Sequence, residues 1–194
     1  GHLKINYDYS VRSSSGTIVQ FTYGNDGMDA CHVESQSIYL TKLDPDQLMD
    51  KYYFDSKTPW TKYYNKASAN KCKDIKQNTF DDIFYELLDH REYLISVIYK
   101  GDIQNNINFP VHIERIVENI ACKTNKSNML PSDIYTGNQK LLKSLYISES
   151  SGKNRIIKIL VDIHLNPKVL ITKYKISRNE YKIICETIKK KYHS

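Results

Sequence analysis

At 194 residues, 40% hydrophobic and 26% charged, the chain has room for one ordinary domain with its core, and its composition excludes collagen-like, coiled-coil and disordered classes. The net charge of +6 permits an acidic partner without requiring one. No apolar run reaches the roughly 18 residues of a membrane helix and no signal segment opens the chain, so the expectation is an intracellular protein with no membrane partner.

Residues 1–3, opening Gly1-His2, read as a scar of tag cleavage on a fragment of something larger. Ile5, Tyr7, Tyr9 and Val11 then alternate with polar positions, and an apolar, β-prone run from Ile18 to Tyr23 follows Ser13-Ser14-Ser15-Gly16. This predicts a β-hairpin with Gly16 in its turn. Gly24-Asn25-Asp26-Gly27 makes a second turn, the glycines admitting positive φ beside residues that form Asx turns. Segment 4–38 is thus strand and turn.

From residue 39 onward the period turns helical. Asp44-Pro45 supplies an N-cap and a proline for the first helical position. Residues 55–78 show no sustained period and are expected to form a long loop. Phe80, Ile83, Phe84, Leu87, Leu88, Leu94, Ile95 and Ile98 share one side of a helical wheel over 79–99. A Gly/Asn-rich break from Gly101 to Asn108 precedes a short helix carrying Ile113, Ile116, Val117, Ile120 and Ala121. Leu141, Leu142, Leu145 and Tyr146 mark another helix, its start blurred by Gly137. Residues 154–165 are apolar all round, which makes that helix central. Asn166-Pro167 caps the next, and Ser177-Arg178-Asn179-Glu180 has capping-box spacing before a last helix. The fold class is α+β: an N-terminal β-hairpin, then a helical domain over 39–194 of roughly six helices.

Sites of chemistry are hard to find. Gly152-Lys153 lacks the glycine of a phosphate loop, and Gly24 and Gly27 lack the third glycine of a dinucleotide site. The serines at 13–15 have no nucleophile-elbow context. Cys31, Cys72, Cys122 and Cys185 form no CxxC and read as reduced, mostly buried thiols. No two histidines stand at i, i+4, and His164 reads as a hydrogen-bonded core residue. An independent enzyme would need Asp8, Asp29 and His32 to converge, and they are expected not to form a metal site. One composition-based candidate remains: Arg178, Lys182, Lys189, Lys190 and Lys191 make the last helix a basic face able to neutralise phosphates. Lysines at a helix C-terminus are also favoured by the helix dipole alone, and that solvated-face reading is preferred.

Lys4 to Ser37 resembles a segment of the largest subunit of multisubunit DNA-dependent RNA polymerases of the eukaryotic and archaeal kind. The matching residues are Tyr7-Asp8, Arg12, Gly16, Ile18-Val19-Gln20-Phe21, Tyr23-Gly24, Asp26-Gly27 and Asp29, with Asn25 where the family usually has Glu. Weaker echoes follow in order at 85–94, at Phe109-Pro110-Val111-His112-Ile113 and at 174–192. The resemblance implies the module called the foot, with 39–78 and 134–155 much diverged. It implies no catalytic residue and no cofactor in this segment, since the family's magnesium signature NADFDGD has no counterpart here. By the same resemblance the whole protein would be a nucleotidyltransferase extending RNA on a DNA template with magnesium. This region would be a non-catalytic scaffold meeting other polymerase subunits and transcription or RNA-processing factors. A large DNA virus or an A+T-rich protist is the expected source, placing the protein in host cytoplasm and virion or in a nucleus. The rival reading is a free-standing nucleic-acid-binding module that uses the basic last helix.

Overall fold

The computed structural model describes residues 3–5, 11–15, 18–20, 34–55, 58–73, 75, 77–99, 106–122, 127–146 and 151–192. At the N-terminus, β1 (Leu3–Ile5), β2 (Val11–Ser13) and β3 (Ile18–Gln20) form an antiparallel sheet with β2 in the middle. The expected hairpin is β2–β3, turning through Ser14 and Ser15, and β1 adds a third strand with Lys4 opposite Arg12. Val11 pairs with Gln20 and Arg12 with Ile18, so β3 carries one extra residue, the mark of a bulge.

A second antiparallel pair was not expected. β4 (Glu34–Ser37) pairs with β5 (Asn106–Phe109), Glu34 facing Phe109 and Ser37 facing Asn106. The region read as a Gly/Asn-rich break therefore ends in a strand. Its alternation is real but short: Ile107 and Phe109 are buried between exposed Asn106 and Asn108. The buried Gln36 side chain donates through Nε2 to the Val111 carbonyl (3.0 Å), continuing the connection past the strand end.

Between these strands lie α1 (Pro45–Tyr52), α2 (Trp60–Tyr63), α3 (Lys66–Lys73) and α4 (Gln77–Tyr93), the last extended by a wider π-turn over Leu94–Ile98. Asp44 precedes Pro45 as foreseen, and its N–H donates to the Gln47 side chain (3.3 Å). The loop expected over 55–78 is corrected: it contains α2 and α3. Among its described residues Trp60, Tyr64, Ala69 and Cys72 are buried, at helical spacings too short and too interrupted to make a period. Phe54, Trp60 and Phe80 pack ring to ring, with centroids 4.8 to 6.1 Å apart, and form the aromatic heart of this half.

The remainder is helical: α5 (Ile113–Ile120), α6 (Pro131–Leu145), α7 (Ser151–His164), α8 (Pro167–Val169) with a π-turn over Leu170–Tyr174, and α9 (Arg178–Tyr192). As its all-round apolarity predicts, α7 is central, burying Ile157, Ile159, Leu160, Val161 and Ile163 and packing on α4, α5 and α6. Both caps read from the sequence in this half are made. Asn166 Oδ1 accepts from the Lys168 N–H (2.9 Å). Glu180 accepts from the Ser177 N–H (2.7 Å) while the Glu180 N–H donates to Ser177 Oγ (3.3 Å). Of the described cysteines Cys72 is buried, Cys185 partly so and Cys122 exposed, so the expectation of mostly buried thiols fails at Cys122. Among the described residues no helix is long and apolar enough to cross a membrane.

Candidate functional site

Periodicity places one face of α6 opposite one face of α9. Asp133, Thr136, Gly137, Lys140 and Leu141 recur at three- and four-residue steps, as do Arg178, Tyr181, Lys182, Cys185 and Lys189. Together with Met129 they line an open groove of about 460 Å³. Glycine at 137 sets how closely the helices meet, because a Cβ there would stand 2.5 Å from Tyr181 Oη. That hydroxyl donates to Asn138 Oδ1 (2.7 Å) and lies 3.2 Å from the Ile134 carbonyl, so the ring is fixed from below. Its burial raises the phenol pKa far above the ordinary value. The floor is therefore rigid and largely apolar, and the rim is basic.

The expected basic face is divided by this geometry. Arg178, Lys182 and Lys189 line the groove, while Lys190 and Lys191 are exposed elsewhere on α9. Arg178 is engaged with Asp133 (2.8 Å), the groove's carboxylate, and its N–H donates to Asn128 Oδ1 (2.9 Å). Lys140 belongs to the rim and was missed. It lies on another helix, and only the packing of α6 on α9 relates it to Lys182 and Lys189.

A second, smaller cavity of about 50 Å³ sits where β4, α1, α5 and the α7–α8 junction meet, with Lys51, Glu114, His164 and Lys173 in its walls. Here the expectation of a hydrogen-bonded His164 is corrected: Nε2 is buried without a partner among the described residues. Burial pushes its pKa down to about 3, and the positive charges of His112, Lys51 and Lys173 act in the same direction. Lys173 lies 3.6 Å from Glu118 and 3.9 Å from Glu114. Burial also lowers Lys51, partly offset by Glu114. The histidine is a neutral wall group.

His112, by contrast, has a structural task the sequence did not disclose: Nδ1 accepts from the Arg115 N–H (3.3 Å), capping α5. Among the described residues no three His, Cys, Asp or Glu side chains gather into a metal-binding group. Of the N-terminal motif, Arg12 and Gln20 stand on neighbouring strands β2 and β3. Tyr7, Asp8, Gly16, Phe21, Tyr23, Gly24, Asp26, Gly27 and Asp29 lie outside the described residues, as does His32.

Comparison with known proteins decides the family. Residues 28–194 match the model of RNA polymerase Rpb1, domain 6. The chain belongs to this family. It is 23% identical, across 96% of its length, to DNA-directed RNA polymerase II subunit RPB1-B of Trypanosoma brucei brucei, and spans 12% of that protein. It is 22% identical to DNA-directed RNA polymerase subunit 1 of Acanthamoeba polyphaga mimivirus over 97% of the chain and 14% of that protein. A shorter stretch, 22% of the chain, is 45% identical to DNA-directed RNA polymerase III subunit RPC1 of Plasmodium falciparum. The Rpb1 domain-6 chain is thus a small part of the length of its relatives, and the domain matched is one for which the described residues offer no catalytic constellation.

Proposed function

We propose that this Rpb1 domain 6 is a foot-like scaffold of the largest subunit of a DNA-directed RNA polymerase. In this reading the whole protein extends RNA on a DNA template with magnesium held outside this region. The family match over 28–194 carries the reading. Two features support it. The chemistry of the described residues is that of packing and capping, and the α6–α9 groove has an apolar floor suited to a protein surface. Other polymerase subunits and transcription or RNA-processing factors are the proposed partners, inside a cell or a virion. A stand-alone nucleic-acid module is the weaker reading, since the basic residues of α9 are split between two sides of the helix.

The test is cross-linking of the assembled polymerase. Amine-reactive reagents are expected to join lysines of this domain to other subunits, and ultraviolet light is expected to join none of α9 to template or transcript. Nucleic-acid cross-links at α9, with no subunit cross-links from the domain, would overturn the scaffold.

A further inference from the structure

The α6–α9 groove is charged in a way the domain itself does not balance. In several places on the domain cations meet carboxylates: Arg115 with Glu34, Arg155 with Asp89, Lys158 with Glu86 and Lys173 with Glu118. In the groove Asp133 is occupied by Arg178, and Lys140, Lys182 and Lys189 have no ion-pair partner among the described residues. Lys182 and Lys189 are two turns apart on α9, roughly 10 Å along its axis. Between the lysines the floor is apolar, formed in part by Leu141 and Cys185.

From this arrangement we infer that the groove is a docking site for an acidic amphipathic helix of a partner protein. An apolar stripe would lie on the floor, and carboxylates one or two turns apart would meet Lys140 on one rim and Lys182 and Lys189 on the other. The groove is better made for this than for a nucleic acid. Tyr181, its aromatic residue, is buried with its hydroxyl hydrogen-bonded, so it offers no open ring face for a base to stack upon. Lysines without an ion-pair partner beside an apolar floor give a helical ligand both orientation and specificity. The inference takes from the scaffold reading only that the occupant is a protein.

Selection of phage-displayed random peptides of about 15 residues, four helical turns, against the chain tests this directly. The enriched peptides should place Asp or Glu beside apolar residues at three- and four-residue spacing. Lys182→Glu/Lys189→Glu should weaken them by about tenfold or more, and Lys143→Glu/Lys190→Glu, exposed lysines outside the groove, should change affinity by less than about twofold. Circular dichroism of both variants checks that the helices persist. A pool without acidic enrichment, or equal losses in the two variants, would overturn the assignment. So would single-stranded RNA that displaces the selected peptides and itself binds with a steep salt dependence. A negative selection removes the groove assignment alone, because the cross-linking of the assembled polymerase judges the scaffold independently.

Discussion

The phenol of Tyr181 on α9 fills the space where a side chain at Gly137 on α6 would stand. A Cβ at 137 would lie 2.5 Å from its Oη and 2.8 Å from its Cε1. The ring is the end of a side chain and could in principle yield, but it is buried and tied to Asn138. Gly137→Ala should therefore lose about 1–3 kcal/mol of stability to overpacking, despite the roughly 1 kcal/mol that alanine gains over glycine in a helix. Tyr181→Phe should cost about 1–2 kcal/mol by leaving Asn138 without its donor. The double variant should fall short of the sum, as expected where two changes relax one contact. Urea denaturation of the four proteins measures this.

Glu180 caps its own helix and also accepts from the Cys122 N–H (2.8 Å), tying α9 to the end of α5. Burial raises its pKa, but the hydrogen bonds from Ser177 and Cys122 outweigh this and hold it below the ordinary value of 4.5. With the folded value lower than the unfolded one, its contribution is complete above pH 4.5 and is lost as pH falls through the folded pKa. Glu180→Ala should cost about 1–2 kcal/mol at neutral pH. The difference between variant and parent should shrink in acid, as seen by denaturation at a series of pH values.

His164 makes a separate pH prediction. Its folded pKa, about 3, lies below the ordinary value of 6.5, so between these limits the unfolded chain binds a proton that the folded one refuses. Stability from this group is complete above pH 6.5 and falls as the pH drops, at about 1.4 kcal/mol per unit. Between about pH 6.5 and 5, before most carboxylates titrate, His164→Gln should flatten that slope. An unchanged slope would show that the imidazole is freely protonated in the native state.

His90, 1% exposed, meets Asp162 Oδ2 at 2.8 Å through Nε2, joining α4 to α7. Asp162→Ala strips a buried ring of that partner while Nδ1 already has none among the described residues. A loss of about 2–3 kcal/mol is expected. Because removing both polar groups abolishes the unpaired remainder, His90→Leu/Asp162→Ala should be less damaging than the two single losses added together, which thermal or chemical unfolding will measure.

The sequence was readable wherever one helix kept a single period long enough to show it. α4, α5, α7 and α9 were legible for that reason, and the Asn166 and Ser177–Glu180 caps because capping depends on residues a few positions apart. α2 and α3 escaped because each is about two turns or less, and β5 because two buried residues make too short an alternation. Gly137 obscured α6, since its reason for being glycine lies on α9. Half of the groove was legible in the lysines of α9. The other half was not: Lys140 becomes a neighbour of Lys182 only when tertiary packing sets two helices side by side. The unpartnered Nε2 of His164 is likewise a property of surroundings that no local spacing records.

The pairing of Glu34–Ser37 with Asn106–Phe109 has a consequence for synthesis of the chain. A ribosome delivers β4 and then all of α1 to α4 before the strand that completes its ladder exists. Ring closure over so many residues is entropically slow, which gives the intervening aromatic cluster time to collapse first. The late zipper then closes over a segment whose buried Trp60, Tyr64, Ala69 and Cys72 leave little room for substitution.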